Sequence, residues 1–177
     1  MIYRSDVWNA VLDAARKSFA DGNGGIGAAV VGPDGRVLSV AGNATDARGA
    51  GLEGTPLAHA ETMALQPLKG DAAAKSTLYA SLQPCPMCHG AALWAEVAEI
   101  VYLVPDPRWP LPYTSDLDPE AELKIPTFRQ IPWRAESEEA AVLALAGFRR
   151  VMDDEAFGFY ARAFPGLMGR VEVLLDN

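Results

Sequence analysis

The sequence predicts an α/β fold in which a sheet carries helices on its faces. Three observations lead there. Apolar runs of strand length (26–31, 76–82 and 99–104) alternate with stretches whose apolar residues recur at helical spacing, and that order argues for right-handed crossovers packing helices onto a sheet. The 177 residues suffice for one domain with its own core and are too few to expect two. Half the residues are apolar (50%) and 21% are charged, an ordinary soluble composition, and no run approaches the ~18 uninterrupted apolar residues of a membrane span. One unit is expected over 1–177, with a Pro-rich insertion at 105–132 and a C-terminal helical segment at 136–177.

In chain order, Ser5 is a good N-cap, Asp6 follows in the first turn, and Trp8, Val11, Leu12, Ala15 and Phe19 keep helical spacing until Asp21-Gly22-Asn23-Gly24-Gly25 ends the pattern. Ile26 to Val31, the turn Gly32-Pro33-Asp34-Gly35 and Arg36 to Val40 read as a hairpin. Asn43 then enters a loop rich in small residues, where asparagine is first of all a turn former. Leu57 to about Leu65 reads as a short helix led by Pro56 and stopped near Gln66-Pro67. His59 and Glu61 would lie in its first turn, about 200° apart around the axis, so both face one site only if that site is at or beyond the helix end.

Ser76 to Leu82 reads as a buried strand, Cys85 to about Ala95 as a helix opening with Pro86, and Glu99 to Val104 as another strand. Cys85 and Cys88, three apart, share a helix face, and a helix N-terminus lowers thiol pKa. From Pro105 to Pro132, seven of the thirteen prolines (Pro105, Pro107, Pro110, Pro112, Pro119, Pro126, Pro132) exclude a regular element. Trp109, Tyr113, Phe128 and Trp133 argue against disorder there, leaving a lid or dimer-facing insertion and a structural wrap as alternatives. Glu136 to about Asp153 and about Glu155 to Phe164 read as packing helices, and Leu167 to Leu175 as a last strand or a strap onto a partner subunit.

The chemistry concentrates in two short runs, His59-Ala60-Glu61 and Pro84-Cys85-Pro86-Met87-Cys88, which hold both cysteines and one of the two histidines. One imidazole and two thiolates suit Zn²⁺ and fall one ligand short of a closed structural site, leaving a position for water. The pKa of a metal-bound water drops from ~15.7 towards ~7, and Glu61 is placed to take its proton. Other readings compete. Cys85-x-x-Cys88-His89 is also a c-type haem attachment pattern, and Cys-x-x-Cys a redox pattern, but neither explains His59-Ala60-Glu61. A closed structural zinc would need His89, which is poorly aimed beside Cys88 and reads better as a pocket wall or helix surface residue. Trp94, Trp109, Tyr113 and Phe128 are more often core than pocket, and none is singled out as a stacking residue.

His-x-Glu followed by Pro-Cys-x-x-Cys is the signature of zinc nucleobase deaminases. Over roughly residues 5 to 104 the chain resembles the cytidine deaminase-like superfamily, on the nucleobase and guanine deaminase side. The resemblance implies a three-layer α/β/α sandwich with a mixed central sheet of about five strands, a Zn²⁺ cofactor on His59, Cys85 and Cys88, catalytic Glu61, and a homodimer. It also implies that Asn43 binds the substrate ring. Relatives with His as first ligand include guanine, tRNA adenosine, fungal cytosine and deoxycytidylate deaminases. Gln83 departs from the common Glu-Pro-Cys of these relatives, which bears on the subfamily more than on the chemistry.

The formal net charge of −8 works against polyanions, and Asp106, Asp116, Asp118 and Glu120 are expected near the pocket mouth, where they would repel one. The expected substrate is a small aminated heterocycle, guanine or a related purine or triazine base first, with neither nucleic acid nor membrane as partner. Met1-Ile-Tyr-Arg-Ser-Asp shows no apolar h-region, so a cytoplasmic location with reduced thiols is expected. The alternatives are a tRNA adenosine deaminase, a cytosine or nucleoside deaminase, and a zinc-stabilised domain without catalysis.

Overall fold

The structure, a computed structural model, describes residues 3–49, 51–109 and 125–176. Five strands form one sheet in the order β2-β1-β3-β4-β5: β1 (Gly27–Val31), β2 (Val37–Gly42), β3 (Thr77–Leu82), β4 (Glu99–Val104) and β5 (Thr127–Gln130). β1 runs antiparallel to both β2 and β3, whereas β3, β4 and β5 are parallel, so the sheet is mixed.

The helices are α1 (Ser5–Ala20), α2 (Ala60–Leu65), α3 (Pro86–Trp94), α4 (Ala135–Val151), α5 (Asp154–Ala163) and α6 (Met168–Leu175). Side-chain alternation along the central strands sorts them into layers. Ala29, Val31, Tyr79 and Val101 pack against Val7, Val11 and Leu12 of α1 and Ala140 and Ala144 of α4. Their neighbours Ala28, Val30, Leu78 and Ile100 face Ala60 and Ala64 of α2 and Ala92 of α3. β1 is buried throughout, and β3 and β4 nearly so, as a sheet covered on both faces requires. This is the expected three-layer α/β/α sandwich. Beyond it, α5 and α6 dock on α4 through Tyr160 and Val171.

Backbone contact replaces side-chain packing at the link from α1 to β1. Gly25 has φ +64°, and a Cβ there would collide with the Leu143 carbonyl oxygen of α4, so only glycine lets the chain pass.

Several expectations change in detail. Ser5 is the first helical residue, and Arg4 is the cap, its carbonyl accepting from Trp8 N at 3.0 Å and its guanidinium held by Asp6. The short helix expected from Leu57 starts only at Ala60, because Ala58 is committed elsewhere: its carbonyl accepts the Ala44 N–H at 2.9 Å, tying 56–58 to the loop after β2. The stretch 105–132 contains a strand after all. β5 is four residues of edge strand between Pro126 and Pro132, where proline costs no ladder bond, and Arg129 pairs with Glu99 of β4 at 2.7 Å. Tyr113, Asp116, Asp118 and Glu120 lie outside the described residues. The tail is not a strand but a helix: Met168, Val171, Leu174 and Leu175 share a side, and α6 buries Val171. Trp94 is 80% exposed, not core. Among the described residues, no helix is long and apolar enough to cross a membrane.

Candidate active site

β3 ends at Leu82, and the next turn delivers Cys85 as the N-cap of α3 in extended conformation (φ −69°, ψ 170°), with Pro86 opening the helix. Cys88 follows in the first turn and is fully buried. His59 is likewise the N-cap of α2, also extended (φ −69°, ψ 153°), with Glu61 inside the helix. That placement resolves the angular problem in the sequence. Because His59 stands outside the helix, its side chain does not obey the 100° step and can share a site with Glu61.

The two N-caps bring three donors together. His59 Nδ1 lies 3.6 Å from Cys85 Sγ and 3.5 Å from Cys88 Sγ, and the two sulfurs are 3.6 Å apart. For Zn–S of ~2.3 Å and Zn–N of ~2.0–2.1 Å, a tetrahedron has N···S edges of ~3.6 Å and an S···S edge of ~3.8 Å. The donor triangle fits zinc without rearrangement and offers one face for a further ligand. Among the described residues this is the only group of metal-type donors, and His89 is not in it: buried, its ring meets Phe128 edge-on at 4.8 Å.

Proton positions follow from the contacts. The Cys85 and Cys88 sulfurs share a hydrogen across 3.6 Å, and this contact and the one with His59 hold Cys85 down at about 4. The same sharing, with burial, pushes the Cys88 thiol up. His59 is raised by its bond to Cys85. Glu61 is 4% exposed, and burial raises it to about 7.

A cavity of about 260 Å³ opens onto this corner. His59, Glu61, Cys85 and Asn43 are among the residues that line it. Asn43 Oδ1 is used locally, accepting from Thr45 N at 3.2 Å, Thr45 Oγ1 at 2.9 Å and Gly24 N at 3.4 Å. Both readings of this residue therefore meet in one side chain: its oxygen makes the turn, and its Nδ2 has no partner among the described residues. Gln83 lies on the wall as well, its Nε2 donating to the Trp109 carbonyl at 2.5 Å.

The rest of the lining was not legible. Asp106 and Trp109 follow β4, and Phe148, Met152 and Tyr160 come from α4, the bend after it and α5, the helices read as packing elements. Asp106 also departs from expectation: it is 5% exposed and turned inward, so it does not guard the mouth as a repelling charge. A signal was available in Tyr160, whose hydroxyl, once buried, needs a partner, but sequence spacing could not name Asp106 as that partner.

Residues 2–104 match the family described as the cytidine and deoxycytidylate deaminase zinc-binding region. A stretch of 87 residues, 47% of this chain, is 37% identical to tRNA(Ile)-lysidine synthase of Deinococcus deserti, but spans only 15% of that protein. Among solved structures, the chain is similar to a tRNA:A34 deaminase of A-to-I editing at the transfer RNA wobble position. There the TM-score is 0.60 at 28% identity, over 72% of this chain and 98% of the other. It is also similar in fold to guanine deaminase from Nitrosomonas europaea, with a TM-score of 0.60 at 21% identity, over 81% of this chain and 84% of the other.

Proposed function

The chain belongs to the cytidine and deoxycytidylate deaminase family, a zinc-binding family, and from that premise we propose that it hydrolytically deaminates a small free heterocycle, guanine or a close purine or triazine analogue first. The observation that carries the substrate class is the lining that the C-terminal helices add. Phe148, Met152 and Tyr160 line the same cavity as Glu61 and Cys85 and lie beyond the family-matched residues, leaving about 260 Å³, a space on the scale of a base. The net charge of −8 supports the same reading. The 28% identity to a tRNA:A34 deaminase favours a second reading, in which the base belongs to a transfer RNA.

In this proposal His59, Cys85 and Cys88 hold the zinc, which when bound supplies the Lewis acidity that makes water a nucleophile at neutral pH. Glu61 is the general base and then the general acid. Its carboxyl group, raised to about 7 by burial, is matched to both tasks: it accepts one proton of the attacking water and passes it to a ring nitrogen, then takes the second from the hydroxyl added to the ring carbon and gives it to the departing amine. Asn43 Nδ2 donates to an acceptor of the ring, and Ile26, Leu82, Phe148 and Met152 keep bulk water from its faces. The homodimer that the resemblance implies belongs to the same proposal.

The test is ammonia release by zinc-loaded protein from free bases, nucleosides, nucleotides and tRNA, each product identified by mass as the oxo form. Release from guanine or a related base, abolished by chelation and restored by zinc, is the expected result. Release from none of the panel would overturn the proposal.

A further inference from the structure

Among the described residues, Asp106 is the one carboxylate besides Glu61 that lines this cavity, and it is buried. Its Oδ1 accepts the backbone N–H of Arg108 at 2.9 Å, and the Tyr160 hydroxyl lies 3.2 Å from Oδ1 and 3.3 Å from Oδ2. Tyr160 has one hydrogen to give, so among the described residues two donors serve a group with roughly four acceptor positions. A buried carboxylate so served is short of donors, and burial raises its pKa in spite of both bonds. The Arg108 guanidinium stacks 5.1 Å from the Tyr160 ring centroid, holding the ring that holds the carboxylate.

We propose that Asp106 is the specificity-determining residue of the site, its remaining acceptor positions taking a ring N–H of the bound heterocycle, with Tyr160 as its positioning residue. The proposal rests on the free-base reading above. The reacting amine must face Glu61 and the zinc donors, so the donors left for Asp106 are ring N–H groups. A free base carries such a hydrogen at the nitrogen that bears the sugar in a nucleoside. Substitution there both removes the donor and sets bulk against a buried charge. Sites built to hydrogen-bond a substrate group reject the analogue lacking it far more strongly than apolar pockets reject an extra methyl.

The experiment compares guanine with 1-methyl-, 7-methyl- and 9-methylguanine on zinc-loaded protein. Turnover is measured on wild type, Asp106→Asn, Asp106→Glu and Tyr160→Phe. Binding is measured by equilibrium dialysis on Glu61→Gln with and without Asp106→Asn. In wild type at least one methyl analogue should lose about 100-fold or more in kcat/KM. In Asp106→Asn that ratio should shrink to within about ten-fold at unchanged zinc content, with partial rescue by Asp106→Glu and an intermediate ratio in Tyr160→Phe. A structural role would lower turnover of all four bases together and leave the ratios alone. Ratios near one in wild type, or unmoved by Asp106→Asn, overturn this inference while deamination of guanine stands. Absent turnover with methyl discrimination retained in dialysis overturns the deaminase reading and keeps Asp106 as reader. Absence of both overturns both.

Discussion

His59 Nδ1 lies 3.5 Å from Cys88 Sγ, joining the cap of α2 to the first turn of α3 across 29 residues of sequence. Neither helix holds a site alone. The sheet does the joining, since both helices pack on the same face through Ala60, Ala64 and Ala92. Removing Cys88 leaves two donors, so Cys88→Ala should lose nearly all zinc after dialysis, measured by elemental analysis against folded protein. Undiminished zinc would place the metal elsewhere.

Zinc uptake should compete with protons. The Cys88 thiol is pushed up by its contact with Cys85 and by burial, and His59 is raised by the same sulfur. Ligation requires neutral His59 and both thiolates, so binding releases protons and the apparent affinity rises with pH. Chelator competition at about pH 6 and about pH 8 should show much tighter binding at the higher value. Affinity that is flat, or that grows on acidification, contradicts this ligand set.

Glu61→Gln should retain zinc and fold while turnover falls by ~10²–10⁴-fold, the usual loss for a positioned acid or base. The amide has nearly the same shape and cannot accept the proton. Zinc content and thermal unfolding serve as controls, and activity within a few-fold of the parent would assign the base elsewhere.

Asn43→Ala separates the two uses of that side chain. Loss of the Oδ1 bonds to Thr45 and Gly24 should lower the melting temperature, at a cost of about 1 kcal/mol per lost bond. Loss of Nδ2 should raise KM and lower kcat at unchanged zinc. A stability change with unaltered kinetics would leave Asn43 a turn former.

The near half of this site was legible in the sequence because its chemistry sits in two contiguous runs. His59, Glu61, Cys85 and Cys88 lie at helix starts, the second announced by Pro86, and β3, which feeds it, is largely apolar and buried. Legibility stopped where the geometry depends on distant pairing. Ala58 looks like a helix residue until the Ala44 N–H claims its carbonyl. β5 is hidden by its flanking prolines because an edge strand tolerates them. Tyr160 and Asp106, 54 residues apart, meet only once α5 docks against the end of β4, so a charge counted as surface repulsion turned out to be a buried wall.

The central claim, a hydrolytic deaminase of a free base, is tested most directly by competition. Zinc-loaded protein receives guanine, cytosine, adenosine, deoxycytidylate and an adenosine-containing tRNA anticodon stem-loop at matched concentrations. The account predicts the highest kcat/KM for guanine. The highest kcat/KM for the stem-loop would contradict it and establish the base within transfer RNA as the substrate.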